Sequence, residues 1–490
     1  MRLVQFILIG CAASLIANRC SAAESLALLA DSAERQDSQA VRALLDEHAN
    51  VSAPQADGMT ALHWAVYLDD EKTARWLIKA GADVKATNRY GVAPLSIACT
   101  NGNATIVEML LDAGADPNTT LRGGETALMT AARTGELRPV QLLVKRGADV
   151  DAREHRGQTA LMWAAAEGHV AVVRALVDAG ADFREALPSG FTPLFFAVRE
   201  GRTEVVHELL EAGLDVNEAM RPTKRADQGP ERGLSPLLLA VENGHFELAA
   251  ALLEAGADSN GRRSGSTALH AITWVRKPNS GDEGQAPPVG SGKLSSLQFV
   301  RGLVEHGADV NAPIRRGSAG AGQLNRAGAT PFLLAADTAD VPLMKLLVEL
   351  GADPLIPNRD GTTPLMAAAG YGTLAPGEEA GTEPEALEAV KLVLELGGNV
   401  NAVDKNGETA IHGAAYASFP KMVRWLSEQG AMEEVWHRKN KHGWTPLLIA
   451  RGYRPGNFKP SLETIEALRS VMSPEAFAAA DEVPAAKNDY

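Results

Sequence analysis

Few residues of this chain stand at spacings that could do chemistry. A phosphate-binding loop has the pattern Gly-x4-Gly-Lys-Ser/Thr, in which backbone amides and the lysine hold phosphate oxygens. Gly290–Lys293 contains the end of this pattern, but Pro287 stands where the first glycine is needed and Leu294 where the hydroxyl is needed. The sequence therefore predicts no nucleotide site in this segment.

Histidines are the other residues whose type could support metal binding or catalysis. His437 and His442 lie close together, but a metal site needs further ligands at fixed spacing, and the neighbouring sequence supplies none. His63, His270 and His412 occupy the fourth position of a recurring phrase, where other copies have Met, Phe, Leu or Ser. We therefore predict no catalytic residue, cofactor or metal, and we expect the chain not to be an enzyme.

The recurring phrase is the feature that must position any site. Its first four intervals are each 33 residues, and a fixed period of this length indicates one structural unit stacked many times. The phrase is a Thr or a near-equivalent followed by Ala or Pro, a large apolar residue and then His, Met, Phe, Leu or Ser. Its eleven copies begin at Thr60, Ala93, Thr126, Thr159, Thr192, Ser235, Thr267, Thr330, Thr363, Thr409 and Thr445.

Each copy of the phrase predicts a pair of helices. Thr or Ser before an apolar run is a helix N-cap, and Pro or Ala suits the first turn. A second helix then carries apolar residues at helical spacing, for example Ile106, Val107, Leu110 and Leu111. The glycine of a recurring Gly-Ala-Asp, such as Gly114, is expected to end this second helix in the left-handed conformation.

The phrase and its period resemble the ankyrin repeat family, whose signature is T-P-L-H-x-A at 33 residues. The resemblance covers nearly all of the chain after residue 24 and implies an all-α solenoid of about twelve helix-turn-helix repeats linked by hairpin loops. It implies binding without catalysis. It also implies that His63, His270 and His412 hydrogen-bond locally and steady the turn. Cys99 stands where other repeats have a small Ala, so we expect it to be buried.

The repeats also divide the chain. We predict a signal peptide at 1–23, a capping repeat at 24–57, repeats at 58–442, a second cap at 443–473 and a disordered tail at 474–490. Arg2, an apolar run over 3–17 and small residues before position 24 favour cleavage of the signal and export to the periplasm of a bacterium or beyond. An uncleaved anchor and a lipid on Cys11 are the alternatives. The mature chain is expected to have no membrane span.

Four intervals depart from the period, and their excess residues define four inserts at 220–233, 275–293, 313–328 and 371–384. Gly, Pro, Ser and charged residues predict exposed loops. Inserts 220–233 and 313–328 enlarge hairpin tips, while 275–293 and 371–384 enlarge the turn between two helices. Inserts often build a binding face, but neutral drift in tolerant loops explains them equally well at this stage.

Candidate binding residues follow from the resemblance. In this family the residue before Thr and those seven and eight after it face a concave groove. Aromatic and Arg side chains dominate binding energies. Basic residues at the hairpin tips, beside helices that carry most of the acidic residues, can steer an acidic partner. The alternative is that they only balance the charge of nearby Asp residues. The predicted partner-binding residues are Met59, Tyr67, Leu68, Arg89, Arg122, Arg133, Phe191, Arg199, Trp274, Tyr371, Tyr416 and Trp444.

The net charge of −14 argues against general affinity for nucleic acid or an anionic membrane. We therefore expect a monomeric scaffold, adaptor or inhibitor that binds a protein through the groove and the tips. Two alternatives stay open: a ligand-binding or enzymatic site formed by the four inserts, and a secreted effector.

Overall fold

The computed structural model describes residues 27–222, 233–278, 286–377, 380–456 and 458–479. The predicted signal peptide and most of insert 220–233 lie outside these ranges. The chain divides into two compact units, Met1–Ala160 and Leu161–Tyr490. The described residues form α-helices and no strand, so the predicted all-α fold is confirmed for them.

The first unit consists of helix pairs whose members follow one another along the chain. Its helices are α1 (Leu28–Glu34), α2 (Ser38–Asp46), α3 (Ala61–Tyr67), α4 (Glu71–Lys79), α5 (Pro94–Asn101), α6 (Ala104–Asp112), α7 (Ala127–Thr134) and α8 (Leu137–Lys145). Helices α1 and α2 lie in the segment predicted as the N-terminal cap, and Val41 is buried. Each of α3, α5 and α7 begins at the second residue of a copy of the phrase.

The second unit continues the pattern with longer connections. Helix α9 (Ala160–Glu167) begins at the boundary residue, and helix pairs follow it. They are α10 (Val170–Asp178), α11 (Pro193–Arg199), α12 (Thr203–Glu211), α13 (Pro236–Glu242), α14 (Phe246–Glu254), α15 (Ala268–Arg276), α16 (Ser296–Glu305), α17 (Pro331–Asp337), α18 (Val341–Glu349), α19 (Pro364–Ala368), α20 (Glu383–Glu395), α21 (Ala410–Ala417), α22 (Pro420–Glu428), α23 (Glu433–Trp436), α24 (Pro446–Ala450), α25 (Leu462–Val471) and α26 (Pro474–Ala479).

The helix ends form as the sequence predicts. The Thr126 hydroxyl accepts a hydrogen bond from the backbone N–H of Met129 at 3.1 Å and so satisfies one of the free donors at the start of α7. Gly114 has φ of +90°, and this left-handed residue turns the chain so that the Ala115 N–H reaches the Leu110 carbonyl at 2.9 Å. These local rules set the length of each helix and therefore the spacing of the repeats.

Two of the three histidines of the phrase, His63 and His270, link neighbouring repeats. His63 Nδ1 lies 2.8 Å from the Thr60 hydroxyl, and its Nε2 donates to the Val92 carbonyl at 3.0 Å, at the tip of the next repeat. His270 and His412 make the same bond to the Thr of their own phrase at 2.8 and 2.9 Å. All three rings are buried, and burial lowers their pKa values. Their predicted structural role is confirmed.

Cys99 also has a packing role. Its side chain is fully buried in α5, and desolvation raises the pKa of the thiol to about 12. A thiol with so high a pKa holds almost no thiolate at neutral pH and is chemically inert.

The described parts of three inserts lie where the sequence places them. Those of inserts 275–293 and 371–384 lie between α15 and α16 and between α19 and α20, and insert 313–328 extends a hairpin tip. Insert 313–328 is closed at its base because the Ile314 N–H donates to the Ala329 carbonyl at 2.9 Å and the Gly328 N–H to the Ile314 carbonyl at 2.8 Å. Its two ends therefore meet at the hairpin tip.

The C-terminal cap differs from the expectation in two ways. The connection from α24 to α25 is long and inserts the buried Arg454, whose guanidinium donates to the Tyr416 carbonyl. Where a disordered tail is expected, Pro474–Ala479 form helix α26. Residues 480–490 lie outside the described ranges.

Candidate functional site

Hairpin tips of each unit are joined by backbone hydrogen bonds. In the first unit the Arg89 N–H donates to the Asp57 carbonyl at 2.8 Å. In the second unit the Arg359 N–H donates to the Ala327 carbonyl at 2.9 Å, and the Lys405 N–H to the Asp360 carbonyl at 2.8 Å. The tips therefore present their exposed basic side chains from a fixed backbone.

Tyr67 is the most accessible of the predicted groove residues with an aromatic ring. It lies at the end of α3 and is 56% exposed. Its ring meets that of Trp64 edge to face at 5.8 Å, and the Trp64 indole N–H donates to Gln55 at 2.7 Å. Tyr67 is thus oriented by its neighbours while its outer face stays open. Met59 and Leu68, also predicted, are half-buried.

The basic tips of the first unit are also ordered by side-chain contacts. The Arg89 guanidinium lies 4.8 Å from the centre of the Tyr90 ring and donates to its hydroxyl at 2.6 Å. Arg122 in turn donates to the Arg89 carbonyl. Tyr90 is 53% exposed and was not predicted, although an aromatic residue between Arg89 and a turn glycine is a detectable signal. Arg133 is half-buried on α7.

In the second unit, Phe191 and Arg199 come together at α11. The Arg199 guanidinium lies 5.3 Å from the Phe191 ring centre and 5.1 Å from that of Phe196, and its Nε donates to Glu200 at 3.0 Å. Arg199 is exposed and Phe191 is half-buried. The prediction thus named two members of one small cluster.

Tyr371 and Tyr416 are not available to a partner, which corrects the prediction for both. They are only 2% and 1% exposed, their rings lie 6.0 Å apart, and they form a core cluster against which Leu324 packs. Gly322 of the same insert approaches the Tyr416 ring. Because insert 313–328 covers the groove at this point, positions that are open in a regular repeat become interior. Trp444 packs against the same cluster and stays half-buried.

A buried carboxyl group lies beside these tyrosines. Glu408 is fully buried, and its Oε1 accepts from Asn440 at 2.7 Å and from the Tyr416 hydroxyl at 3.2 Å. Desolvation raises its pKa to about 8, so the carboxyl is mostly protonated at neutral pH. The covered groove therefore contains a mostly neutral carboxyl group at neutral pH.

Described residues of three inserts line a cavity of about 690 Å³ in the second unit. Its floor is the groove face of successive first helices, with Trp274 on α15, Leu334 on α17 and Ala368 on α19. The other lining residues come from the described parts of inserts 275–293, 313–328 and 371–384, and they include Pro278, Arg316, Gln323, Arg326, Thr373 and Pro376. Trp274, which was predicted as a groove residue, thus lies in a cavity lined by three of the four inserts that the alternative ligand site involves.

The described part of insert 275–293 is tied to the neighbouring repeats. Lys277 donates to the Ala339 carbonyl at 3.1 Å and to Glu385 at 2.9 Å, and this bond to Lys277 lowers the pKa of Glu385 to about 2. Arg276 donates to both oxygens of the buried Asp340 at 2.7 and 3.0 Å. These contacts join residues far apart in the sequence, so a local pattern does not predict them.

The segment that resembles a phosphate loop packs against α14. The Ser291 N–H donates to His245 Nδ1 at 2.9 Å, and the Leu294 N–H donates to Glu247 at 3.1 Å. These residues therefore anchor insert 275–293 to the preceding repeat. Across the part of the chain that the structure describes, no three His, Cys, Asp or Glu side chains group as metal ligands. Within that same part, each helix is too short or too polar to cross a membrane.

Comparison with known proteins identifies the repeated unit. A family model described as "Ankyrin repeats (3 copies)" matches residues 2–88, 26–121, 86–154, 128–220 and 380–468, which together cover more than half of the chain. A model described as "Ankyrin repeat" matches residues 232–263. The B-cell lymphoma 3 protein homolog of Mus musculus is 33% identical over 131 residues, and the alignment spans 26% of this chain and 26% of that relative.

Proposed function

We propose that this chain, which belongs to the ankyrin repeat family, is a non-catalytic scaffold, adaptor or inhibitor that binds a partner through the groove and tips of its first unit. Ankyrin repeats generally mediate protein–protein interactions. The observation that carries the assignment to this surface is the exposure of Tyr67 and Tyr90. Among the described residues, the aromatic side chains that expose more than half of their area are Tyr67, Tyr90 and Phe458.

The geometry of these side chains suits binding. Tyr67 is fixed by Trp64, and Tyr90 is fixed by Arg89, so little conformational entropy is lost when a partner docks. Tyr and Arg are also the residue types that most often dominate interface energies. The exposed Arg89 and Arg122 favour a partner whose surface is acidic, because opposite charge speeds and orients the encounter.

A photo-crosslinker at position 67 tests this proposal. A benzophenone amino acid replaces Tyr67 in the full chain, and a second sample carries it at Phe458, which is 62% exposed against 56% for Tyr67 but lies in the second unit. We expect one protein to crosslink at position 67 and not at 458. Equal crosslinking of the same protein at both positions, or none at position 67, would contradict the assignment.

The cavity lined by described residues of three inserts favours a second function, which is ligand binding.

We also propose that the chain is exported, on the basis of the residue pattern over 1–23. N-terminal sequencing of the protein recovered from the envelope or medium tests this. Export with cleavage predicts that the sequence begins at Glu24, whereas a chain that begins at Met1 in the cytoplasm would contradict it.

A further inference from the structure

We propose that the groove formed by α19, α21 and α24 is a second peptide-binding surface, and that insert 313–328 is the segment of the same chain that occupies it. The partner that fits this surface is an extended segment that carries Gly and, two residues later, Leu. Every residue of the insert lies in the described ranges. The surface belongs to the second unit and is separate from the one proposed for the first unit.

The insert is an addition to a hairpin tip of regular length. In a regular tip of the first unit, the Asn88 N–H donates to the Val92 carbonyl at 3.1 Å and the Gly91 N–H donates to the Asn88 carbonyl at 2.9 Å. The base of insert 313–328 has the same two bonds, at 2.9 and 2.8 Å. Residues 316–326 are therefore extra to a turn that closes without them.

Leu324 is the apolar anchor of the extra segment. It packs against a core cluster that contains Met366 on α19, Tyr416 on α21 and Ile449 on α24, which belong to three successive repeats. It also packs against a second cluster, which includes Leu334 of its own repeat. Tyr416 is only 1% exposed beneath the insert, although its position is open in a regular repeat. The groove therefore accepts a branched aliphatic side chain at this point.

Gly322 sets the second requirement, two residues before the anchor. It is buried, its φ is +69°, and a Cβ there would lie 3.1 Å from the Tyr416 ring and 3.3 Å from Pro455. A larger residue would be crowded by both neighbours and strained in this backbone conformation. The insert thus shows that the groove fits a Gly-x-Leu segment whose backbone passes close to Tyr416.

The rest of the extra segment is accessible to solvent and makes few bonds to the repeats. Residues 316–320 are exposed, and the Gln323 N–H bonds back to the Gly320 carbonyl at 3.2 Å. The segment is tied to the next tip at Asn325, which accepts from Asn358 at 2.7 Å and donates to Asp360 at 2.9 Å. A partner with the same Gly-x-Leu pattern competes for the same groove contacts. The insert has the advantage of its own chain, which gives it an effective concentration of about millimolar.

A photo-crosslinking peptide tests this proposal. The peptide has the sequence of residues 316–327, with a diazirine analogue of leucine in place of Leu324. It is added to the wild-type full chain, to a full chain that lacks only 316–326, and to Leu324→Asp, which keeps the insert but removes its anchor. We expect both variants to be labelled at Met366, Tyr371 or Tyr416. The wild-type chain should be labelled about tenfold less, because its own insert occupies the groove.

A matched control peptide carries Gly322→Val and should label both variants at least about fivefold less, because the larger residue is crowded by Tyr416. Melting curves show which variants are folded, and Leu324→Asp keeps the test valid where the deletion unfolds the chain. Equal labelling of the wild-type chain and a folded variant, labelling away from the cluster, or no labelling of a folded variant would overturn the proposal. Crosslinking at position 67 is a separate readout, so failure here is distinct from failure of the first-unit surface.

Discussion

Glu408 links the covered groove to the pH dependence of stability. Its pKa rises from an ordinary value near 4.5 to about 8 on folding, mainly because burial removes water from the carboxyl. Between these pH values the folded chain binds one proton more than the unfolded chain at this site. The free energy of unfolding therefore falls as the pH rises through this window, by up to ~1.4 kcal/mol per pH unit, and the loss ends above pH 8.

We predict that Glu408→Gln flattens this decline between pH 7 and 8, because the amide cannot ionise. Urea unfolding at several pH values measures the effect. Glu385→Gln is the control, since the folded-state pKa of Glu385 is about 2 and the group stays ionised across this window. An unchanged slope in Glu408→Gln would show that the Glu408 carboxyl ionises freely in the folded chain.

For His270 we predict the opposite pH dependence of stability, at acid pH. Burial lowers the pKa of His270 to about 4 from an ordinary 6.5. Below pH 6.5 the unfolded chain therefore binds a proton at this site that the folded chain does not, and the free energy of unfolding decreases as the pH is lowered. We predict that His270→Met reduces this acid loss and costs ~1 kcal/mol at pH 7 through the lost cap. Met is a suitable replacement because Met129 occupies the same position in another repeat. Thermal unfolding from pH 4 to 8 checks both parts.

At the scale of elements, insert packing depends on a glycine. Gly372 has φ of +104°, and a Cβ there would lie 2.9 Å from the Leu324 backbone nitrogen. We predict that Gly372→Ala destabilises the second unit by ~1–3 kcal/mol and loosens insert 313–328. Gly377→Ala is the control, since its φ is also positive but open space surrounds the position. Protease sensitivity within 313–328 should rise in the first variant only; equal sensitivity would mean that Leu324 does not pack on Gly372.

The sequence predicts the elements well because their signals are local. A few neighbouring residues determine each of these features, which include the N-cap of α7, the left-handed conformation of Gly114 and the positions of the inserts. The cavity depends instead on contacts such as Lys277 with Glu385, which are 108 residues apart. The prediction for Tyr416 was wrong for the same reason, since a position rule for an open groove cannot include an insert that folds back over it.

At the scale of the whole molecule, repeats contribute stability mainly through their neighbours. Leu110 is fully buried in α6, and we predict that Leu110→Ala lowers the free energy of unfolding by ~2–5 kcal/mol. Denaturant unfolding measures this, with the exposed Leu355→Ala as the control. A loss as small as that of the control would contradict the stacked core described for this helix.

The central claim concerns a partner bound by the first unit, and the affinity of that partner for a double variant tests it most directly. Calorimetry would compare the wild-type chain, Tyr67→Ala/Tyr90→Ala and the control Phe458→Ala against the protein that crosslinks at position 67. We predict that the double variant weakens the Kd by about 10- to 100-fold, whereas the control leaves it unchanged. An unchanged Kd in the double variant would contradict binding through this surface.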